Sequence, residues 1–270
     1  MRGMYSGINI EPRRLEPSAQ MMYCQCMITF HVVTLFPDAL DSYLGESILK
    51  RAIEDKKIKV KFYNPRDFAG NKWHRVDQRP YGGGPGMVIE ALPVIKAIEE
   101  AVQNAKGKRQ KLKAKRISKI PNSKLQDPNK FQITNSNIKI IFFSPSGKQF
   151  TNTYADKVSK EYSDIILVCG RYEGIDARVK KVFKMEEISV GPFVLTGGEL
   201  PAMIVIDSIA RRIPGVIGDI DSLEENRIAS SDVYTRPEIF EYKGKKYRVP
   251  KILLSGHKAN IEEWKKRKCM

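Results

Sequence analysis

MITFHVVTLFPDALDSYLGESILKRAIEDKKIKVKFY, residues 27–63, decides the fold class. Met27–Leu35 is rich in β-formers (Ile28, Phe30, Val32, Val33) and reads as a buried strand. Phe36-Pro37-Asp38 turns the chain. Over Ala39–Asp55 the residues Leu40, Leu44, Ile48, Leu49 and Ala52 recur at helical spacing and share one side. Ile58–Tyr63 is a second strand. Strand, helix and strand in so short a stretch predict a βαβ unit, hence an α/β fold with a mainly parallel sheet.

Outward from that unit, residues 64–87 break the pattern. Asn64-Pro65 and Gly82-Gly83-Gly84-Pro85-Gly86 punctuate a long loop that carries Arg66, Lys72, Trp73, His74, Arg75, Arg79 and Tyr81. Cations interleaved with aromatics suit phosphates and bases; a flexible surface loop is the bland alternative. Glu90–Val102 reads as a helix. Residues 104–138 then carry ten Lys or Arg against one acid, Asp127, with few large apolar residues. This composition predicts a disordered basic insert, either a sequence-blind tether for RNA phosphates or a solvated loop.

Regular structure resumes with the strand Ile138–Phe143, ended by Ser144-Pro145-Ser146-Gly147. A helix follows over Tyr154–Tyr162, then a strand over Ile165–Cys169 closed by Gly170-Arg171-Tyr172-Glu173-Gly174. A short helix at Ala177–Val182 and a strand at Glu187–Val190 lead into Gly191–Gly198, and a helix spans Pro201–Ile213, with Pro201 near its first turn. Ligands of open α/β sheets bind beyond the carboxyl ends of the strands. The loops 144–147, 170–174 and 190–198 are therefore the candidate ligand site; Gly191, Gly197 and Gly198 could let backbone approach a ligand closely, with an ordinary glycine turn as the alternative.

Composition narrows the classes. Lys and Arg number 47 against 31 Asp and Glu, a formal net charge of +16, which attracts polyanions and points to nucleic acid as partner. No apolar run approaches the ~18 residues of a membrane span. The four cysteines (Cys24, Cys26, Cys169, Cys269) and three histidines (His31, His74, His257) lack zinc-site spacing, so no metal ligands are assigned and a cytoplasmic protein with reduced thiols is expected. Residues 1–26 have no apolar signal-peptide core and are expected to be a disordered extension, or to precede a true start at Met27. Walker-type, G-x-G-x-x-G, H-E-x-x-H and G-x-S-x-G motifs are all absent.

Several segments together resemble a known family: LFP (35–37), PRDF (65–68), RPYGGGPGM (79–87), SPSGK (144–148), LVCGRYEGID (167–176), SVGPFVLTGGELPAM (189–203), DSIARRIPGV (207–216), YTRPE (234–238) and LLSGHKANIEEW (253–264). In this order they resemble the bacterial tRNA (guanine-N1)-methyltransferases, the TrmD-type members of the knotted SPOUT superfamily. The resemblance implies a deep trefoil knot over about residues 140–200 and a small, shortened helical carboxyl-terminal domain. It divides the chain into a disordered extension (1–26), a knotted S-adenosylmethionine-binding catalytic domain (27–216), an interdomain linker (217–234) and a tRNA-binding domain (235–270).

The implied reaction is methyl transfer from S-adenosylmethionine to N1 of the guanosine immediately 3′ of the anticodon in tRNA. The alternative is a tRNA-binding knotted protein with weak or lost activity. The implied partners are tRNA and a second copy of the chain, in a homodimer with shared active sites, and a Mg2+ requirement comes with the family.

By motif matching, Arg211 takes the place of the catalytic Arg, and Glu173 of a glutamate tied to substrate and magnesium. The position usually holding the base is Ser230, so either a shifted loop lets Asp232, two residues before Tyr234, serve as base, which is the favoured assignment, or another group or water takes the proton. Cofactor contacts fall to Phe143, Ser144, Pro145, Gly170, Tyr172, Gly174, Val190, Gly191, Pro192, Phe193, Val194, Leu195, Gly197 and Gly198. Pro192 stands where the family commonly has an acid. RNA contacts fall to Arg79, Tyr81 and Arg236.

Overall fold

A computed structural model of the chain describes residues 27–114, 137–217 and 232–268. The expected 1–26 extension, most of the 104–138 insert, most of the 217–234 linker and Ser230 lie outside the described residues.

The core is a five-stranded, all-parallel sheet: β1 (Ile28–Val33), β2 (Ile58–Tyr63), β5 (Ile138–Gln149), β6 (Asp164–Val168) and β7 (Glu186–Ser189), in the order β2-β1-β6-β5-β7. Strand alternation sends Ile28, Phe30 and Val32 to one face and His31 and Val33 to the other. The first face is covered by α1 (Asp38–Leu44), α2 (Ser47–Glu54), α4 (Asn152–Glu161) and α6 (Glu199–Ala210), through Leu40, Leu49, Val158 and Ile206. The second is covered by α3 (Ala91–Ala114) and α5 (Arg178–Val182), through Val94, Ile98, Val102 and Val179. Burial on both faces is what makes parallel strands read as continuous apolar runs, and every residue of β1 and β6 is buried.

Four sequence expectations are corrected. The helix expected over 39–55 is two helices, α1 and α2, parted at Gly45-Glu46, with Ser47 at φ 51°. Leu40, Leu44, Leu49 and Ala52 face the core as expected, whereas Ile48, expected on the same side, is exposed because the break turns the start of α2 outward. Helix α3 runs on through Ala114, into the segment expected to be disordered. Gln, Lys, Arg, Leu and Ala dominate that stretch and are good helix formers, so net charge alone did not end the helix.

Strand β5 does not stop at Ser144. Phe143 and Lys148 both pair with Ile188, so Ser144–Gly147 loops out of a strand that resumes to Gln149. A Cβ on Gly147 would stand 2.6 Å from the Ile188 nitrogen, which requires glycine there. Finally, the carboxyl-terminal segment is not purely helical. β8 (Ile239–Tyr242) and β9 (Lys245–Arg248) form an antiparallel hairpin before α7 (Lys251–Leu254) and α8 (Lys258–Lys268). Lys243 (φ 49°) and Gly244 (φ 73°) make its two-residue turn, a conformation matched to strand twist.

The loop after β2 is partly ordered. A short 3-10 helix, Pro65–Phe68, is followed by a ladder of β3 (Asp77–Gln78) with β4 (Val88–Ile89). The intervening RPYGGGPGM segment holds Gly82, Gly83, Gly84 and Gly86 at positive φ, which only glycine adopts without strain.

Candidate active site

The carboxyl ends of β5, β6 and β7 open into one cleft of about 300 Å3. It is walled by the three expected loops: Phe143, Ser144 and Pro145; Gly170, Tyr172, Glu173 and Gly174; and Val190, Gly191, Phe193, Val194, Leu195, Gly197 and Gly198. Pro192 is the exception among the expected cofactor residues, since it is exposed and does not line the cleft. Phe142, Arg171, Ile188, Ser189, Thr196 and Pro201 also line it and were not assigned from sequence. Among the described residues Phe193, Val194 and Leu195 find no main-chain hydrogen-bond partner, which leaves their polar groups to a ligand or water.

Gly197 and Gly198 line the cleft, but the close approach they permit is to the chain itself. A Cβ on Gly198 would lie 2.6 Å from the Cys169 Cα, and one on Gly197 would lie 2.4 Å from Arg171 Nε and 2.5 Å from Glu199 Oε2. The two loops are pressed together there: Gly198 N–H donates to the Gly170 carbonyl at 2.9 Å, and Arg171 bridges Gly197. Behind them, Glu199 is 3% exposed. Its carboxylate accepts from the Thr34 hydroxyl at 2.7 Å and lies 2.9 Å from Arg171 Nε. Neither Arg171 Nε nor Glu199 Oε2 makes an aligned hydrogen bond, so this contact is an ion pair. Cys169, fully buried beside them, has its thiol pushed well up, first by burial and then by Glu199, with Arg171 opposing.

Glu173 sits where the cleft meets the glycine-rich loop. Its N–H donates to the Met87 carbonyl at 3.0 Å, and Ile89 N–H donates to the Gly174 carbonyl at 3.0 Å. The Glu173 carboxylate occupies the space a Cβ on Gly86 would fill. RPYGGGPGM is thereby stitched to GRYEG, and Arg79 and Tyr81 stand exposed on the loop beside the cleft, Tyr81 wholly so.

The other two proposed reacting groups are elsewhere. Arg211, at the end of α6, lines a separate groove of about 380 Å3 with Tyr43, Leu200, Met203, Ile204 and Asp207. Leu200 and Ile204 are about half exposed there, so the outward face of α6 is apolar. Tyr43 donates to Asp207, a bond that raises the tyrosine pKa ahead of the smaller effect of burial. Asp232 and Arg236 are exposed and line neither cavity. Within one chain, therefore, the structure does not bring Glu173, Arg211 and Asp232 together. Among the described residues no three His, Cys, Asp or Glu side chains converge to hold a metal ion, and no helix is long and apolar enough to cross a membrane.

A parallel sheet with a loop-walled cleft beyond its strand ends defines an α/β protein with a candidate ligand site there. The chain belongs to the family described as tRNA (Guanine-1)-methyltransferase TrmD, whose model matches residues 28–124 and 125–270. Relatives described as tRNA (guanine-N(1)-)-methyltransferase agree. That of Clostridioides difficile is 41% identical over 88% of this chain and 90% of its own. That of Desulforamulus reducens is 40% identical over 88% and 83%. That of Campylobacter jejuni subsp. doylei is 39% identical over 87% and 89%.

Proposed function

We propose that the chain transfers a methyl group from S-adenosylmethionine to N1 of the guanosine immediately 3′ of the anticodon in tRNA. The observation that carries this reading is the convergence of three family-motif loops on one cleft at the carboxyl ends of β5, β6 and β7. The cleft fits the donor chemically. It offers loop backbone at Phe193–Leu195 that is unpaired among the described residues for a nucleoside, apolar walls from Phe143, Ile188 and Val190, and a carboxylate, Glu173, at the side facing the exposed cationic loop. The bound donor would supply a methyl group on a positively charged sulfur.

Guanine N1 carries a proton at neutral pH, so it becomes a nucleophile only as that proton leaves. Asp232 is proposed to take it, as a carboxylate general base. Arg211 is proposed to face guanine O6, where negative charge gathers as N1 is deprotonated. Glu173 orients the base against the cleft, and alignment of acceptor nitrogen with the methyl group supplies the rest. Arg79, Tyr81 and Arg236, all exposed, are proposed to contact RNA, with the basic 104–138 segment adding phosphate contacts. Among the described residues no three His, Cys, Asp or Glu side chains gather around a metal site, and no step here depends on Mg2+.

Because Arg211 lines the α6 groove and not the cleft, we take each site to be built from two copies, with one chain's Arg211 presented to its partner's cleft. The apolar outward face of α6 suits such an interface. Residues 140–200 are taken to thread a trefoil knot, a reading supported by the tight seating of 197–198 on 169–171. The test is methyl transfer from labelled S-adenosylmethionine to an unmodified tRNA bearing G after its anticodon. Transfer that collapses in Asp232→Ala and Arg211→Ala is expected. Transfer that survives Asp232→Ala removes the assigned base, and none by the wild type removes the reading.

A further inference from the structure

A buried carboxylate that the proposed chemistry does not use lies behind the cleft. Glu199 opens α6 and joins the carboxyl ends of three chain segments: Thr34 after β1, Arg171 after β6, and its own stretch after β7. Thr34 is itself fixed, because its hydroxyl accepts from Phe36 N–H at 3.0 Å while donating to Glu199. Arg171 is held from a second side by the Phe36 ring, whose centroid is 4.6 Å from its guanidinium carbon. The helix amino terminus favours the negative charge of Glu199.

Stability alone is a poor reason for this arrangement. A buried ion pair replaced by well-packed apolar residues is often neutral or stabilising, because desolvation offsets the attraction. Position is a better reason. Arg171 is pinned at Nε by Glu199 and stacked on Phe36, yet its side chain is 26% exposed and lines the cleft. Among the described residues its terminal nitrogens meet no carboxylate. An Arg fixed at its inner end and open at its outer end presents two donors in a set plane, the geometry that oxyanions accept.

We infer that Arg171 binds an oxyanion of the ligand in this cleft, and that Glu199, with Thr34 behind it, is the positioning residue that aims it. The inference rests on the proposed methyl-transfer reading. Two sources supply such an oxyanion: the carboxylate of the methyl donor's amino-acid portion and a phosphodiester of the RNA.

The test measures binding of S-adenosylmethionine, of 5′-methylthioadenosine (which lacks the carboxylate), and of tRNA, by the full chain and by Arg171→Gln, Glu199→Gln, the double variant and Arg171→Lys. Loss of a charge-assisted contact should weaken the affected ligand about tenfold or more. The double variant should be no worse than Arg171→Gln, because Glu199 acts through Arg171. Arg171→Lys should restore part of the loss. Weaker S-adenosylmethionine with unchanged 5′-methylthioadenosine assigns the carboxylate. Weaker tRNA with unchanged nucleosides assigns the phosphodiester.

Unchanged binding of all three ligands overturns the inference, as does equal loss of both nucleosides, since Arg171 would then only shape the cleft. Additive losses in the double variant overturn the role of Glu199. Thermal melts without ligand accompany each variant, and Arg171→Lys carries the test if Glu199→Gln does not fold. A wild type that binds no S-adenosylmethionine defeats the functional reading itself, a separate result.

Discussion

Replacing Gly198 with alanine adds a methyl group that would lie 2.6 Å from the Cys169 Cα, 2.9 Å from its Cβ and 3.0 Å from the Gly170 nitrogen. The backbone at Gly198 (φ −84°, ψ −4°) is one any residue adopts, so the whole cost is contact and none is conformation. The nearest obstacle is main chain, which cannot swing aside as a side-chain end can. Reaching an ordinary contact near 3.4 Å moves the two loops apart by about 0.8 Å. That separation stretches the 2.9 Å bond from Gly198 N–H to the Gly170 carbonyl beyond useful length. Overpacking costs about 1–3 kcal/mol and the lost bond about 1 kcal/mol, so Gly198→Ala should destabilise by about 2–4 kcal/mol. Both loops wall the cleft, so S-adenosylmethionine affinity should fall with it. Urea unfolding and calorimetric titration measure the two effects. Gly70→Ala is the control: a Cβ there meets nothing within 4 Å, and alanine should be neutral or slightly stabilising. A Gly198→Ala protein with wild-type stability and affinity would refute the claim that this glycine exists for loop-to-loop contact.

Three further outcomes are expected. Burial tends to raise the Glu186 pKa, but the Lys139 ammonium and the Tyr154 hydroxyl outweigh it and hold the carboxyl below its ordinary 4.5. A lowered folded pKa contributes stability that is present above the unfolded value and lost as pH falls through the folded one; Glu186→Gln should therefore flatten the decline in urea midpoint below about pH 5, and an unaltered decline would discount the pair. Cys169, fully buried with its thiol pushed up, should resist alkylation at mildly alkaline pH in the native protein and react on unfolding, as read by peptide mass spectrometry; rapid native labelling would contradict its burial. If each site joins Glu173 of one chain to Arg211 of a partner copy, Arg211→Ala and Glu173→Ala, each inactive alone, should recover about a quarter of wild-type turnover after mixed refolding, because random pairing would make half the dimers mixed and each mixed dimer would hold one intact site; no recovery would return both residues to one chain's site.

What the sequence revealed followed from local periodicity. β2 was legible to the residue, because its bounded run of β-formers, apolar Ile58, Val60 and Phe62 alternating with Lys59 and Lys61, is the pattern of a half-buried edge strand. The three cleft loops were legible because each follows such a run. Features needing contacts between distant residues were not. Arg171 and Glu199 lie 28 positions apart in sequence, and nothing local marks Glu199 as buried, since a glutamate opening a helix is ordinarily solvated. Gly197 and Gly198 were legible as special but not in purpose, because a glycine that admits a ligand and one that admits its own chain have the same letter. The β8–β9 turn did have a signal, Lys243-Gly244 between β-rich segments, which an expectation of helix obscured.

The division between cleft and groove bears on how such a site is assembled. α6 begins at Glu199, packed behind the cleft, and ends with Arg211 at its carboxyl cap, so its 12 residues span about 18 Å. A rigid helix of that length carries Arg211 away from the loops that Glu199 anchors, and no side-chain rotation closes such a gap. Yet the groove where Arg211 emerges is bordered by half-exposed Leu200 and Ile204, the kind of apolar face that a partner covers. If a second α6 covers it in a two-fold arrangement, the helix that removes Arg211 from its own cleft is the element that delivers it to the other. One helix then anchors a cleft wall at its amino end and supplies a reacting group to the neighbour at its carboxyl end. Loosening Glu199 would disturb both sites of the pair, whereas loss of Arg211 would silence only the site it reaches.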